Sequence, residues 1–278
     1  MNQTDYVLGH SKPEIERLIA QSALLHSTTL RLLHETGLKS GMRVLDIGCG
    51  AGDVSMLAAK IVGKTGTVVG IDRSIDAINY ARSRESSAPL PVHFYEEALG
   101  AKLDIGQFNL VISRWVILFQ EDPESFLKAA RAYVKPGGVL AFQEPARMAG
   151  IFDADMLDDA LPLWKKIMSL IYLAVVSASK NLRPYDVSYN MLRHFKAIGL
   201  GQPNMFAEVL AGGGADCPFY SWAAATMRSL LPQLEKIGAA SAEEVDLDTL
   251  EFRLRREAVT SGELVTFIPQ FCGWLRID

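Results

Sequence analysis

Val44-Leu45-Asp46-Ile47-Gly48-Cys49-Gly50-Ala51-Gly52-Asp53 is the stretch that decides how this chain is read. A short apolar run ends in glycines at every second position, and Val54–Val62 follows with helical periodicity. The stretch therefore reads as a first strand that turns through a glycine-rich loop into a helix. Glycine there permits unusual dihedrals and lets a ligand approach the backbone closely. Gly48 and Gly50 fit the start of a dinucleotide fingerprint, but its third glycine falls on Asp53. A carboxylate at a helix N-terminus repels a pyrophosphate where the dipole otherwise attracts one. Asp46, ahead of the glycines, is equally unsuited to phosphate and well suited to a cation. Asp46 and Asp53 thus fit the methionine end of S-adenosylmethionine, which carries an ammonium and a sulfonium.

Outward from the loop, strand and helix alternate: strand Thr67–Ile71, helix Ile75–Glu85, strand Val92–Tyr95, strand Phe108–Ile112, helix Pro123–Tyr133 and strand Gly138–Gln143. The strands are continuously apolar, as in a parallel sheet covered on both faces. The expected fold is α/β, a Rossmann-like, doubly wound, seven-stranded, mostly parallel sheet with N-terminal helices and a helical cap insertion. Four segments are expected: 1–37 as an N-terminal helical cap over the cofactor cleft, 38–145 as the cofactor-binding core, 146–225 as a helical substrate cap with a strand, and 226–278 as helices and a final strand. Lys12–Thr36 has helical spacing, as do Asp155–Ser177, Tyr185–Ile198, Trp222–Ile237 and Leu247–Ala258. Further strands are expected near Met205–Leu210 and across Leu264–Trp274, the latter as a sheet member.

Asp72, in Val69-Gly70-Ile71-Asp72-Arg73-Ser74, closes the second strand. An acid there accepts hydrogen bonds from both ribose hydroxyls in nucleoside-binding folds; its structural alternative is a helix cap, for which Ser74 is better placed.

The 278 residues, about half of them apolar, suffice for one large core with an accessory region. A net charge of −4, with both signs dispersed, gives no field suited to nucleic acid. Cys49, Cys217 and Cys272 lack disulfide or metal spacing, no signal peptide or membrane-spanning stretch is evident, and a reducing cytoplasm is the expected setting. No cluster has metal-ligand spacing, and no GxSxG motif points to a serine hydrolase.

VLDIGCGAGD (44–53), IDRS (71–74), FNLVISRWVI (108–117) and VKPGGVLAFQEP (134–145) resemble, in order and spacing, the successive motifs of class I S-adenosylmethionine-dependent methyltransferases. They are most similar to the branch that includes ubiquinone and menaquinone biosynthesis methyltransferases. The opening LGHSKPE (8–14) resembles a bacterial small-molecule subgroup. The resemblance implies methionine-end contacts at Asp46, Gly48 and Gly50 within the loop that includes Cys49 and Gly52, a ribose contact at Asp72, and Arg73 beside the adenine. The family's Gly-Asp pair after the third strand is replaced here by Glu96-Glu97-Ala98-Leu99, so the adenine contact falls on Glu97, Ala98 or Leu99. The resemblance also implies that Ser113 and Arg114 face the cofactor and the substrate entrance. S-adenosyl-L-homocysteine is the implied product.

For the acceptor, in-line displacement at an activated methyl needs orientation above all, and a base is optional. His10 and His26, in the segment that by resemblance covers the cleft, are candidate bases, with a surface or structural role as the alternative. Gln21 is a candidate polar contact. Arg114, after an apolar strand, needs a partner: a carboxylate of cofactor or substrate, or an acid such as Glu144. Trp115, Phe119, Trp164, Tyr172, Phe219 and Trp222 are candidate walls of an acceptor pocket. The expected activity is methyl transfer to O, N or C of a small, apolar or aromatic molecule by a monomer or homodimer. Alternatives are an S-adenosylmethionine-binding enzyme of another reaction type, a non-catalytic subunit, and an NAD-dependent oxidoreductase.

Overall fold

A computed structural model of the chain describes residues 12–87, 90–100, 105–146, 161–179 and 187–278. Two compact units divide it. A sheet unit comprises Leu25–Ala146, Tyr185–Glu208 and Gln270–Asp278; a helical unit comprises Met1–Leu24, Arg147–Pro184 and Val209–Pro269. The division falls inside the first helix, α1 (Lys12–Glu35).

The sheet unit begins with β1 (Arg43–Ile47), α2 (Asp53–Val62), β2 (Thr67–Asp72), α3 (Ile75–Ser87) and β3 (Val92–Glu96). It continues with β4 (Phe108–Arg114), α4 (Pro123–Ala132) and β5 (Val134–Pro145). After α5 (Pro162–Ala178) of the other unit come α6 (Met191–Ala197) and β6 (Asn204–Glu208). One seven-stranded sheet runs β3-β2-β1-β4-β5-β9-β6, where β9 is Gln270–Arg276. The four pairings among β1 to β5 are parallel, and β9 runs antiparallel to both β5 and β6.

The doubly wound expectation holds, with its strand bounds shifted by a few residues. Alternate strand residues serve opposite faces, as the pleat requires. Val44, Val68, Leu110, Ile112, Val139 and Ala141 form one core with Leu32 and Leu33 of α1, Val54 and Ala58 of α2 and Ile78 of α3. Phe142, of the opposite parity, meets Phe195 of α6 at 5.5 Å between ring centroids. Each fully buried aliphatic side chain contributes about 2 kcal/mol. Helix α4 starts where the sequence says it should: Pro123 occupies its first turn and Asp122 accepts the amides of Glu124 and Ser125.

Two expectations are corrected. Leu264–Trp274 is not one strand: β8 (Val265–Thr266) pairs with β7 (Ala211–Gly212) in a separate two-stranded sheet, while β9 begins at Gln270. Pro269 lies at the break, and proline brings no amide to a ladder. Secondly, β6, from the 146–225 segment expected to form the cap, belongs to the large sheet.

In the helical unit, α5 is accompanied by α7 (Phe219–Lys236), α8 (Ala242–Val245) and α9 (Leu247–Ser261). Helix α5 has no side-chain cap of its own. Glu257 of α9 supplies one, accepting the amides of Leu163 at 2.7 Å and Trp164 at 2.9 Å. Phe267 packs against Phe219 and Trp222, and Trp164 meets Tyr220 edge-on. Among the described residues, no helix is long and apolar enough to cross a membrane.

Candidate active site

Strand order places β1 between β2 and β4, so the chain leaves β1 in one direction and later returns on its other side. Ligands of open α/β sheets bind at this switch point, beyond the strands' carboxyl ends. The glycine loop lies there. Gly48 and Cys49 both donate their amides to the Ile71 carbonyl, at 2.8 and 3.0 Å, and Gly52 closes the turn on Cys49 O at 2.9 Å. Gly48 and Gly52 have φ of +68° and +82°. A Cβ on Gly48 would lie 2.5 Å from Val116 Cγ2, and one on Gly52 2.7 Å from Phe94 Cζ. The glycines thus serve the loop's dihedrals and its packing together. Gly48→Ala is expected to lower stability by about 2 kcal/mol through left-handed strain and overpacking, read as a lower midpoint in thermal unfolding.

Around this loop the structure gathers acids. Asp46 is buried and accepts from Ser55 Oγ at 2.6 Å; burial pushes its carboxyl up to about 6, against the lowering influence of Ser55 and Arg114. Asp72 accepts the Gly50 amide on Oδ2 and the Ser74 amide on Oδ1, both at 2.9 Å. Ser74 Oγ takes the Ala77 amide, which leaves the helix cap to Ser74 as the sequence suggests. Asp53, first in α2, accepts from Arg84 Nη1 at 2.7 Å, and the same nitrogen donates to Ala51 O. Its carboxylate therefore ties the loop to α3, a partner the sequence reading missed.

Cys49 is buried, and that burial, with the charges of Asp46 and Asp72, raises its thiol well above the ordinary value. A protonated buried thiol is no nucleophile. All three cysteines are buried free thiols.

Beyond β2, Arg73 is exposed. Glu97 donates its amide to Asp72 O at 2.9 Å, which brings the Glu97-Ala98-Leu99 segment to the end of β2; Glu97 and Leu99 are half-buried and Ala98 is exposed. Ser113, buried, stands in register with Ile47 of β1 and Phe142 of β5.

Arg114 ends β4, and Trp115 follows with φ of 58°, a left-handed conformation rare for a bulky side chain. A buried polar lattice holds both. Arg114 Nη1 donates to Thr29 Oγ1 at 3.1 Å, Thr29 Oγ1 donates to Gln143 Oε1 at 2.8 Å, and Gln143 Nε2 donates to Gln270 Oε1 at 3.1 Å. Trp115 Nε1 donates to the same Gln270 oxygen at 2.8 Å. Burial lowers the Arg114 pKa, and Asp53 and Asp46 oppose that shift. Glu144, expected as a possible partner of Arg114, turns its oxygens to the amides of Val116, Ile117 and Leu118 at 3.1, 3.0 and 3.3 Å. It caps the 3-10 turn Ile117–Phe119 that follows Trp115.

His26 is exposed on α1, whereas Thr29, one turn further, is buried. Gln21 is buried in the helical unit, where its Oε1 accepts from Arg17 Nη1 at 2.6 Å and Arg17 also bonds Glu14. His10 lies outside the described residues. Among those described, no three His, Cys, Asp or Glu residues form a metal-binding group.

Thr29, Gln143 and Gln270 were missed by sequence reasoning. The signal for the two glutamines was there: each is a polar residue within an apolar strand, which needs a buried partner.

The donor set fits a cationic nucleoside ligand. Three carboxylates lie within electrostatic reach of Cys49 in the loop, and Asp72 keeps acceptor capacity on each oxygen beyond its one backbone amide. Binding a cation beside Asp46 selects its ionised form. Affinity for S-adenosylmethionine is therefore expected to fall by up to about tenfold per unit as pH drops below about 6. Asp46→Asn should flatten that dependence in calorimetric titrations.

The chain matches, over residues 38–185, the family described as a methyltransferase domain. The demethylmenaquinone methyltransferase of Staphylococcus aureus is 25% identical over 146 residues, covering 52% of this chain and 56% of its own. A ubiquinone biosynthesis O-methyltransferase of Brucella ovis is 33% identical over 101 residues, covering 36% of this chain and 40% of its own. This chain thus spans about half or less of the length of these relatives. Among solved structures, a cyclopropane-fatty-acyl-phospholipid synthase-like protein from Lactobacillus casei has a TM-score of 0.56 at 18% identity, covering 93% of this chain and 91% of that one. That likeness concerns the fold alone.

Proposed function

The chain belongs to the class I S-adenosylmethionine-dependent methyltransferase family, and from that premise we propose that it methylates O, N or C of a small, apolar or aromatic molecule. The observation that carries this reading is the acid-ringed glycine loop at the switch point, with Asp72 anchoring it through Gly50. The bound cofactor supplies an electrophilic methyl group on a cationic sulfur.

Asp72 holds the ribose hydroxyls, and Asp46 favours the ammonium and sulfonium charges. Asp53 adds to that field while fixing the loop to Arg84. Glu97, Ala98 or Leu99 meets the adenine, with Arg73 beside it. The protonated Cys49 and the glycine backbone line the methionine end without chemistry of their own. Arg114, held by Thr29, orients the acceptor or a carboxylate. Positioning supplies most of the acceleration, because the leaving group is already activated. The products would be S-adenosyl-L-homocysteine, the methylated acceptor and the proton that the acceptor gives up to solvent. The unpaired buried cysteines accord with a reducing, cytoplasmic setting. The quinone-pathway relatives make phenols and hydroquinones the first acceptors to try.

The test is incubation with methyl-labelled S-adenosylmethionine and a panel of hydroquinones, phenols and amines. The expected result is labelled product formed together with S-adenosylhomocysteine, abolished by Asp72→Ala. Cofactor binding without transfer to any member would favour the reading in which the sulfonium serves another reaction.

A further inference from the structure

Asp53, one of the three acids around the glycine loop, is met by a cation. Its Oδ1 accepts from Arg84 Nη1 of α3 at 2.7 Å. The same nitrogen donates to Ala51 O, also at 2.7 Å. Ala51 stands between Gly50 and Gly52, whose φ of +52° and +82° turn the backbone there. One guanidinium nitrogen thus holds both the turn and the acid beside it. Arg84 lies in the last turn of α3, where the helix dipole favours a cation. All of these residues belong to the sheet unit.

The side chains of Arg84 and Asp53 are 29% and 13% exposed, so solvent screens the pair only in part. The charge of Asp53 is felt across the loop. It acts on the Cys49 thiol, and it is the larger of the two carboxylate influences on Arg114. A ligand lying along this loop therefore meets the sum of Asp53 and Arg84, not a bare carboxylate. That sum matters for methyl transfer, in which positive charge leaves the sulfur. An uncompensated acid beside a sulfonium stabilises the reactant more than the transition state, and binding of that kind does not raise kcat.

We propose that Arg84 is a positioning residue for the cofactor loop: it fixes the turn through Ala51 and limits the charge that Asp53 presents to the sulfonium. The inference rests on the S-adenosylmethionine reading of the loop. It gives Asp53 and Arg84 opposite influences on one quantity, the preference of the loop for the cationic cofactor over its neutral thioether product.

The experiment titrates the whole chain calorimetrically with S-adenosylmethionine and, separately, with S-adenosylhomocysteine. The two ligands share the nucleoside, the ammonium and the carboxylate, and differ by one methyl group and its positive charge. A loosened loop weakens both alike, whereas a changed field alters their ratio. Arg84→Gln keeps a donor for Ala51 O and drops the charge. Its preference for S-adenosylmethionine should exceed that of the wild type by about fivefold at low salt, the scale of one unpaired charge acting across a partly solvated loop. The excess should shrink as salt is added. Asp53→Asn should lower the preference by a similar factor, because Arg84 then stands uncompensated, and the double variant should return it near the wild-type value. Arg84→Lys, whose ammonium can serve the same two acceptors, should leave it unchanged. If Arg84→Gln does not fold, Arg84→Met makes the same comparison. An unchanged preference in either single variant, shifts of the same sign in both, or a shift in Arg84→Lys as large as in Arg84→Gln overturns the proposal and leaves the cofactor reading standing. Failure of the wild type to bind S-adenosylmethionine removes the cofactor reading, and the proposal with it.

Discussion

Asp72→Ala weakens S-adenosylmethionine binding by about 100-fold or more, the largest effect expected of any substitution at the loop. Each oxygen of Asp72 already holds one amide, Gly50 on one side and Ser74 on the other. In the proposed complex a ribose hydroxyl on each remaining lone pair would make a hydrogen bond to a charged group, contributing about 1.5–3 kcal/mol apiece. Loss of both corresponds to two orders of magnitude or more in affinity. Removing the carboxylate also frees the Gly50 amide, so the loop itself loses an anchor. Asp72 is half-buried at a strand end, and the variant should still fold with a modestly lower melting temperature. A change of less than about fivefold would mean that the ribose is held elsewhere.

Glu144→Ala destabilises the fold by about 3 kcal/mol or more, because it strips three consecutive amides of their acceptor inside a buried turn. Urea unfolding monitored by circular dichroism measures it. The carboxyl also carries a pH signature. Burial raises its pKa to about 7 from an ordinary 4.5, with the Ile117, Val116 and Leu118 amides opposing that shift. The folded chain therefore binds this proton more tightly than the unfolded chain does. Its contribution to stability is complete below about 4.5 and declines as pH rises through about 7. Glu144→Gln lacks that titration, so the stability of the wild type relative to this variant should be greater at pH 4.5 than at pH 7.5. A difference that is flat, or that grows with pH, would contradict this account of the turn.

The strands β1 to β5 and the cofactor loop were legible because local signals coincide there: apolar runs, glycines at the turn, an acid at the end of β2. The bounds of the last strand were not. Leu264–Trp274 is mostly apolar, and hydropathy does not register that Pro269 divides it between two sheets. Segment boundaries fared similarly, since β6 and β9 reach the large sheet from distant parts of the chain. At the site, Asp46, the glycines and Asp72 converge as their spacing implies. The lattice joining Arg114, Thr29, Gln143, Gln270 and Trp115 was illegible for a different reason: its bonds connect residues 85, 114, 127 and 155 positions apart. Glu144 shows the same limit. A buried glutamate near an arginine invites an ion pair, but the acid instead caps a turn whose amides no local pattern announces.

The central claim, that the loop beyond β1 holds S-adenosylmethionine and not a dinucleotide, is tested most directly by calorimetric titration of the wild-type chain with S-adenosylmethionine and, separately, with NADH. The account predicts one-site binding of S-adenosylmethionine and no heat of binding from NADH, whose pyrophosphate would meet Asp53 and Asp46. Binding of NADH, or silence from S-adenosylmethionine, would contradict it.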